Sequence, residues 1–221
     1  MRRLLRSLFF LVYKPLGVWW ISKERSYSYK DLQLTIPVGV FHPGIFFSTT
    51  FLATEVSKMA LSGKAFLELG CGSGLLSLVA AKAGANVTAV DINSKAVIAA
   101  ANNARQNNLH IEAIESDLFG ALAGRTFDVI AINPPYYKKN PKDAVAAAWF
   151  AGEKLEYFHK LFTQLGAHLN GRTTVLMVVS EDVDMQAIQA IAAAHNFVFS
   201  LRNTTTIMWE LNYIYEIKLD T

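Results

Sequence analysis

The tetrapeptide Asn133-Pro134-Pro135-Tyr136 combines groups that could hold an amino or amide nitrogen. It follows an apolar run, residues 127–132, which is typical of a buried parallel strand. Ligands of open α/β sheets bind beyond the carboxyl ends of such strands. The Asn133 side chain and the Pro134 carbonyl are two acceptors on a restricted turn, which suits a substrate –NH2 with two donors. Tyr136 adds an aromatic face for a planar group. The alternative is an ordinary turn that ends a strand.

Three alternate glycines, Gly70, Gly72 and Gly74, follow an apolar run that contains Glu68. Dinucleotide-binding loops space their glycines as G-x-G-x-x-G and place a pyrophosphate at the start of the next helix. Here the spacing is G-x-G-x-G, and a carboxylate just before the loop disfavours a pyrophosphate. S-adenosylmethionine carries a sulfonium and an ammonium but no phosphate, so the pattern favours that cofactor. A P-loop is excluded because no Gly-Lys-Ser/Thr follows.

A further carboxylate, Asp91, ends the next predicted strand, residues 86–90. It lies about 20 residues after the glycines, where a carboxylate can accept hydrogen bonds from both ribose hydroxyls. Asp91 could instead cap the helix predicted over 94–106, although Asn93 or Ser94 could also do so.

Asp117 ends a third predicted strand, residues 111–115, and could accept from an adenine amino group while Leu118 covers the ring. Acidic residues at three consecutive strand ends, with the tetrapeptide ending the fourth, predict one ligand site at one edge of a sheet.

The chain's one cysteine, Cys71, lies inside the glycine loop. We interpret it as a small side chain in a crowded turn, because nothing nearby in sequence would lower its pKa.

With these motifs, residues 40–180 resemble the class I S-adenosylmethionine-dependent methyltransferases, and within them the N-P-P-Y branch that methylates amino and amide nitrogens. The order E-L-G-C-G-S-G, V-D-I-N, S-D-L-F and F-D-V-I-A-I-N-P-P-Y is similar to that of the release-factor glutamine methyltransferases. The resemblance implies catalytic roles for Asn133, Pro134 and Tyr136. The expected cofactor-binding residues are Glu68, Gly70, Cys71, Gly72, Gly74, Asp91, Ile92, Asp117, Leu118 and Asn133.

Two segments depart from that family. Residues 151–155 are similar to its G-G-x-x-G-L segment but lack two of the glycines. Residues 43–50 occupy the place of its P-R-P-E-T-E segment, where Thr50 matches the threonine and the arginine and acids are absent. These differences concern the substrate rather than the cofactor.

The resemblance also implies the fold, a seven-stranded Rossmann-like α/β sandwich with strand order 3-2-1-4-5-7-6 and an antiparallel last strand. The last three strands are predicted over 173–179, 198–201 and 211–219. Residues 27–29 and 32–36 predict a hairpin. We therefore divide the chain into an N-terminal helical and hairpin extension on the substrate side, residues 1–43, and a methyltransferase domain, residues 44–221.

The composition fits one domain. The single cysteine cannot form an internal disulfide, which favours a reducing compartment, and we expect a cytoplasmic protein. The 221 residues are 52% apolar, with a net charge of +3 that does not by itself indicate nucleic acid. The apolar run at 8–21 is interrupted by Lys14-Pro15 and is shorter than the ~20 residues of a spanning helix. We favour a helical cap for residues 1–25 over a basic interfacial anchor that would use Trp19 and Trp20.

These features predict an S-adenosylmethionine-dependent N-methyltransferase that needs no metal and acts on a protein glutamine side chain. An RNA or DNA methyltransferase acting on an adenine or guanine amino group is the alternative. A non-catalytic cofactor-binding partner subunit is a third reading, which the intact N-P-P-Y disfavours. Lys138, Lys139 and Lys142 follow the tetrapeptide and form either an electropositive lip for an acidic partner or a solvated loop.

Overall fold

The computed structural model describes residues 23–44, 47–207 and 210–220, which form a seven-stranded sheet, flanking helices and a separate hairpin. The hairpin strands are β1 (Arg25–Tyr29) and β2 (Leu32–Ile36). The sheet strands are β3 (Ala65–Leu69), β4 (Asn86–Asp91), β5 (Glu112–Glu115), β6 (Phe127–Ile132), β7 (Leu169–Ser180), β8 (Phe197–Ile207) and β9 (Glu210–Leu219). The helices are α1 (Ser48–Val56), α2 (Leu75–Lys82), α3 (Ser94–Gln106), α4 (Glu156–Leu165) and α5 (Met185–Ala193), with short 3-10 turns at Ala146–Ala148 and Gly166–His168.

The strands of the large sheet run in the order β5-β4-β3-β6-β7-β9-β8. Neighbours from β5 to β7 are parallel, whereas β9 is antiparallel to both β7 and β8. This confirms the predicted order 3-2-1-4-5-7-6 and the antiparallel last strand. From β3 the chain first adds β4 and β5 on one side of β3, and then returns to add β6 on the other side. The loops after β3 and β6 therefore flank the crevice where such sheets bind ligands.

The parallel strands are apolar on both faces because helices cover both. In β3, Phe66 belongs to a core with α1, α2 and α3, and Leu67 belongs to a second core with α4 and α5. Both side chains are fully buried. Continuous apolar runs, rather than alternating ones, are what a sheet between two helical layers requires.

The predicted hairpin is confirmed, and α3 holds it against the large sheet's helical layer. The Asn103 side chain accepts from the Thr35 nitrogen at 2.8 Å and donates to the Thr35 carbonyl at 3.1 Å. Asn107 makes the same pair of bonds with Gln33, at 3.0 and 2.7 Å. Two asparagines thus occupy the hydrogen-bonding edge of β2 as a neighbouring strand would. The predicted N-terminal helix lies outside the described residues, and the division at residue 43 stays a prediction.

Several element bounds were predicted closely, and β7 and β8 differ most. The helix at 94–106 has the predicted ends, but β7 begins at Leu169 and β8 continues to Ile207. The second half of β8 is polar and lies at the edge of the sheet, so it lacks the apolar pattern that marks a strand. Among the described residues, no helix is long and apolar enough to cross a membrane.

Candidate functional site

A cavity of about 410 Å³ opens beyond the carboxyl ends of β3, β4, β5 and β6. All the candidate residues named from the sequence line this cavity, except Gly74. Parallel strands end at the same edge of a sheet, so loops distant in sequence share one wall. The described residues contain no group of three or more His, Cys, Asp or Glu side chains arranged for a metal ion.

The loop between β3 and α2 is built on left-handed glycines, with φ of +75° at Gly70, +51° at Gly72 and +85° at Gly74. A Cβ on Gly74 would lie 2.9 Å from the Ala100 Cβ of α3, so this glycine allows α2 and α3 to pack closely. A Cβ on Gly70 would meet no protein atom within 4 Å, since Gly70 borders the cavity. The part of Gly74 in cofactor binding stays a prediction.

Glu68 is a buried carboxylate at the base of the cavity. Its Oε2 atom accepts hydrogen bonds from the main-chain nitrogen of Ser77 at 2.8 Å and from the Ser77 hydroxyl at 2.5 Å. Burial raises the pKa of Glu68 to about 8, with the nearby Asp91 charge adding to the rise and the Ser77 hydrogen bonds opposing it. The cavity therefore holds a carboxyl group that a neighbouring cation would help to ionise.

Asp91 joins two loops of the site. Its Oδ2 atom accepts from the Gly72 nitrogen at 2.9 Å, and its Oδ1 atom accepts from the Asn93 nitrogen at 2.9 Å. Burial raises the pKa of Asp91, against the effect of these main-chain hydrogen bonds. The side chain of Asn93, rather than Asp91, caps α3 by accepting from the Lys95 nitrogen at 3.1 Å. The alternative that Asp91 caps α3 is therefore wrong.

Asp117 and Leu118 form the outer wall of the cavity. The exposed Asp117 carboxylate makes an ion pair with the Lys160 ammonium of α4. Leu118 is buried in a left-handed conformation, with φ of +53°. Tyr157, in the first turn of α4, lines the same region, and burial raises its pKa, with added effects from the Asp91 and Asp117 charges. Sequence reasoning did not select Tyr157, because a tyrosine in an amphipathic helix usually belongs to the core.

Asn133 follows β6 and is partly buried. Its side-chain nitrogen donates a hydrogen bond of 2.9 Å to the hydroxyl of Thr49, in the first turn of α1. Asn133 also lines the cavity. Thr50, which the family resemblance had matched, instead donates to the Phe47 carbonyl at 2.8 Å. Thr49 lines the cavity and was missed, because nothing in the sequence relates it to Asn133.

Aromatic side chains surround the mouth of the cavity. Tyr136 is half-buried, and burial raises its pKa. Its ring lies 5.0 Å from that of Tyr137, which forms a parallel bridge with Phe150. The rings of Phe41, in the loop after β2, and Trp149 lie 5.1 Å apart. The segment after the tetrapeptide thus folds back over the cavity, where Trp149 contacts the loop that follows the hairpin.

The lysines near the mouth differ in their contacts. The Lys138 ammonium makes a 2.5 Å ion pair with Asp184, and the Lys139 ammonium lies 5.2 Å from the centre of the Phe150 ring. Lys142 is exposed. Two of the three predicted rim lysines therefore contact other parts of this chain. The Cys71 thiol is buried, and burial raises its pKa, which does not suit a nucleophile.

Comparison with known proteins identifies relatives of this chain. Residues 31–188 match the family model "Methyltransferase small domain". A putative protein N5-glutamine methyltransferase of Methanocaldococcus jannaschii is 49% identical over 77 residues, covering 34% of this chain and 39% of the relative. The ribosomal RNA small subunit methyltransferase C of Haemophilus influenzae is 32% identical over 143 residues, covering 64% of this chain and 39% of the relative. The chain thus matches about two fifths of the length of these curated relatives.

Solved structures share the fold at low sequence identity. The ribosomal protein L11 methylase of Lactobacillus delbrueckii subsp. bulgaricus superposes with a TM-score of 0.61 at 22% identity, covering 82% of each chain. The Thermus thermophilus 16S rRNA N2 G1207 methyltransferase, solved with AdoMet and guanosine, has a TM-score of 0.60 at 20% identity, covering 88% of this chain and 50% of that one. These similarities establish the Rossmann-like fold of the chain.

Proposed function

This chain belongs to the Methyltransferase small domain family, and on that premise we propose that it transfers a methyl group from S-adenosylmethionine to an amide or exocyclic amino nitrogen. The acceptor that we propose is a protein glutamine side chain. The main support for the proposal is the position of Asn133, which lines the same cavity as Glu68 and Asp91.

The charges of the cavity support S-adenosylmethionine as the cofactor. Glu68 and Asp91 are both shielded from solvent, burial raises the pKa of each carboxyl group, and the Asp91 charge raises the pKa of Glu68 further. Two such carboxyl groups disfavour a ligand with phosphates and favour one with cationic groups. The left-handed loop around Gly70 leaves room for a ligand against the main chain.

In this proposal, Glu68, Asp91, Asp117, Leu118 and the glycine loop hold the cofactor. When bound, S-adenosylmethionine supplies a methyl group on a positively charged sulfur. Asp91 is the acceptor for the ribose hydroxyls, and it is held in place by the Gly72 and Asn93 nitrogens. Asp117 is the proposed acceptor for the adenine amino group, which would share this carboxylate with Lys160.

The proposed catalytic work is orientation of a weak nucleophile. The lone pair of an amide or aryl amine nitrogen is delocalised, so its direction decides whether it can react. Acceptors on the Asn133 side chain and the Pro134 carbonyl would hold the two N–H groups and stabilise the positive charge that develops on nitrogen. Tyr136 would pack against the planar group. No strong base is needed beforehand, because the proton becomes acidic only after transfer.

The relatives include methyltransferases named for protein and for RNA substrates. Two observations favour a protein substrate for this chain. The match of highest identity given above is to a putative protein N5-glutamine methyltransferase. Lys138 is paired with Asp184, which reduces the positive charge available to a polyanion at the mouth. The alternative, methylation of an RNA base, is supported by the longer alignment with the ribosomal RNA methyltransferase C.

Radiolabelled S-adenosylmethionine tests this function directly. The purified chain is incubated with a ribosome-containing cell extract, and the labelled fraction is treated with protease or with nuclease. We expect label that only protease releases, and no label with Asn133→Ala. Release by nuclease alone would support the RNA alternative, whereas no transfer to any fraction would contradict the proposed activity.

A further inference from the structure

The contact between Thr49 and Asn133 has a consequence for the proposed reaction. We propose that Thr49 is a positioning residue, which holds the Asn133 side chain in the direction that the proposed reaction needs. The inference rests on the proposed function. It is motivated by the 2.9 Å hydrogen bond from the Asn133 side-chain nitrogen to the Thr49 hydroxyl, and by the burial of Thr49 at 8% exposure.

The Asn133 amide needs a partner of this kind because its plane could otherwise turn about the bond to the amide carbon. An amide plane that points in many directions would lose the preorganised acceptor that the proposed reaction needs. The Thr49 hydroxyl accepts a hydrogen bond of 2.9 Å from the –NH2 group and so holds the amide plane in one direction.

The helix that carries Thr49 is fixed at its opposite end. The buried Glu55 accepts from the Arg202 side chain at 3.3 Å and from the Asn203 side chain at 3.1 Å, both in β8. Leu52 and Val56 on the same helix are fully buried. The Thr49 hydroxyl is therefore held at a defined place relative to the sheet, as an orienting group must be.

Thr50 provides a matched control next to Thr49 in the same helical turn. Its hydroxyl donates to the Phe47 carbonyl and does not line the cavity. Valine in place of either threonine keeps the branched shape and removes the hydroxyl. The two substitutions therefore make the same chemical change at adjacent positions, and only one of them removes the partner of Asn133.

The experiment compares Thr49→Val, Thr49→Ser and Thr50→Val in the full chain. For Thr49→Val we expect kcat to fall about tenfold, the loss that one hydrogen bond implies, with KM and S-adenosylhomocysteine affinity little changed. Thr49→Ser should restore the rate, and Thr50→Val should leave it at the wild-type value. Nuclear magnetic resonance of the cofactor-free protein adds a second measurement. The side-chain –NH2 signals of Asn133, assigned by their loss in Asn133→Asp, should exchange faster with solvent in Thr49→Val.

The outcomes separate this inference from the proposed function. If the wild-type chain methylates a substrate and Thr49→Val does so at the same rate, the function stands and the positioning role is wrong. Unchanged Asn133 –NH2 signals in Thr49→Val would also overturn it, as would a larger loss of rate in Thr50→Val. If the wild-type chain transfers no methyl group at all, the proposed function is wrong and this inference falls with it.

Discussion

The Oδ2 atom of Asp91 accepts a hydrogen bond of 2.9 Å from the main-chain nitrogen of Gly72, so the carboxylate that ends β4 holds the loop that ends β3. The neighbouring strands are thereby tied at the edge where the ligand is proposed to bind. Removal of the Asp91 side chain would affect both the loop and the ligand, and a test of its binding role must separate the two.

We predict that Asp91→Asn folds normally and binds S-adenosylhomocysteine more weakly by about 1.5 to 3 kcal/mol, the range for a hydrogen bond to a charged group. Asparagine has the same shape, but it loses the charge and keeps only one of the two acceptors that bind the Gly72 and Asn93 nitrogens. Titration calorimetry measures the affinity, and Glu115→Gln, which neutralises an exposed carboxylate outside the cavity lining, is the control. Unchanged affinity in folded Asp91→Asn would remove Asp91 from the proposed site.

The raised pKa of Glu68 predicts how the stability of the ligand-free protein depends on pH. The folded-state pKa of about 8 lies above the ordinary value of 4.5, so the folded state binds this proton more tightly. The contribution of Glu68 is therefore fully present below about pH 4.5 and is lost as pH rises through about 8. We expect the free energy of unfolding from urea titrations to fall over this interval, and to fall less in Glu68→Gln. Identical pH profiles for the two proteins would contradict this assignment.

Substitution of Asn133 tests the proposed catalytic turn. Asn133→Ala should lower the rate of methyl transfer on the order of a hundredfold or more, because it removes a preorganised acceptor. Asn133→Asp keeps an acceptor of similar shape and should retain partial activity. Both variants are first shown by calorimetry to bind S-adenosylhomocysteine. Full turnover by Asn133→Ala would exclude the proposed mechanism.

Gly74 is expected to affect stability through the packing of two helices. Gly74→Ala places a Cβ 2.9 Å from the Ala100 Cβ and imposes a left-handed conformation on alanine. Gly124→Ala imposes a left-handed conformation too, with φ of +72°, but its Cβ would meet nothing within 4 Å. The left-handed conformation alone costs roughly 1–2 kcal/mol, so Gly74→Ala should be destabilised by that amount and more. If thermal or urea unfolding shows the same loss of stability in Gly74→Ala and Gly124→Ala, the contact with Ala100 costs nothing.

Residues 1–25, of which 1–22 lie outside the described part of the chain, are proposed to cap the substrate side rather than to bind a membrane. Their deletion should weaken substrate binding and leave S-adenosylhomocysteine affinity unchanged. Sedimentation with anionic liposomes provides the opposing test. Binding of the full chain to liposomes, lost on deletion of this segment, would favour the interfacial anchor.

The sequence predicted the strands and the place of the candidate site because both depend on local patterns. Apolar runs identified the buried strands, and acidic residues and the tetrapeptide identified their carboxyl ends. The family resemblance supplied the order in which the strands pair, which the apolar runs alone leave open.

Contacts between distant segments could not be predicted in this way. Thr49 and Asn133 are 84 positions apart, and Thr50 was the threonine that alignment with the family favoured. The Phe41–Trp149 contact and the asparagines of α3 that bind β2 also depend on how separate elements pack. Such contacts leave no periodic signal in the sequence, since each element is compatible with several neighbours.

The insertion of β9 between β7 and β8 sets an order of events during synthesis. Residues 169–180 and 197–207 leave the ribosome before residues 210–219, yet the structure pairs neither of the first two strands with the other. Until β9 emerges, β7 has no partner on one side and β8 has no place in the sheet. The open flank of β7 is an aggregation risk in a nascent chain. We infer that β8 joins the sheet only after β9 has been synthesised, because β9 is the strand that links it to β7.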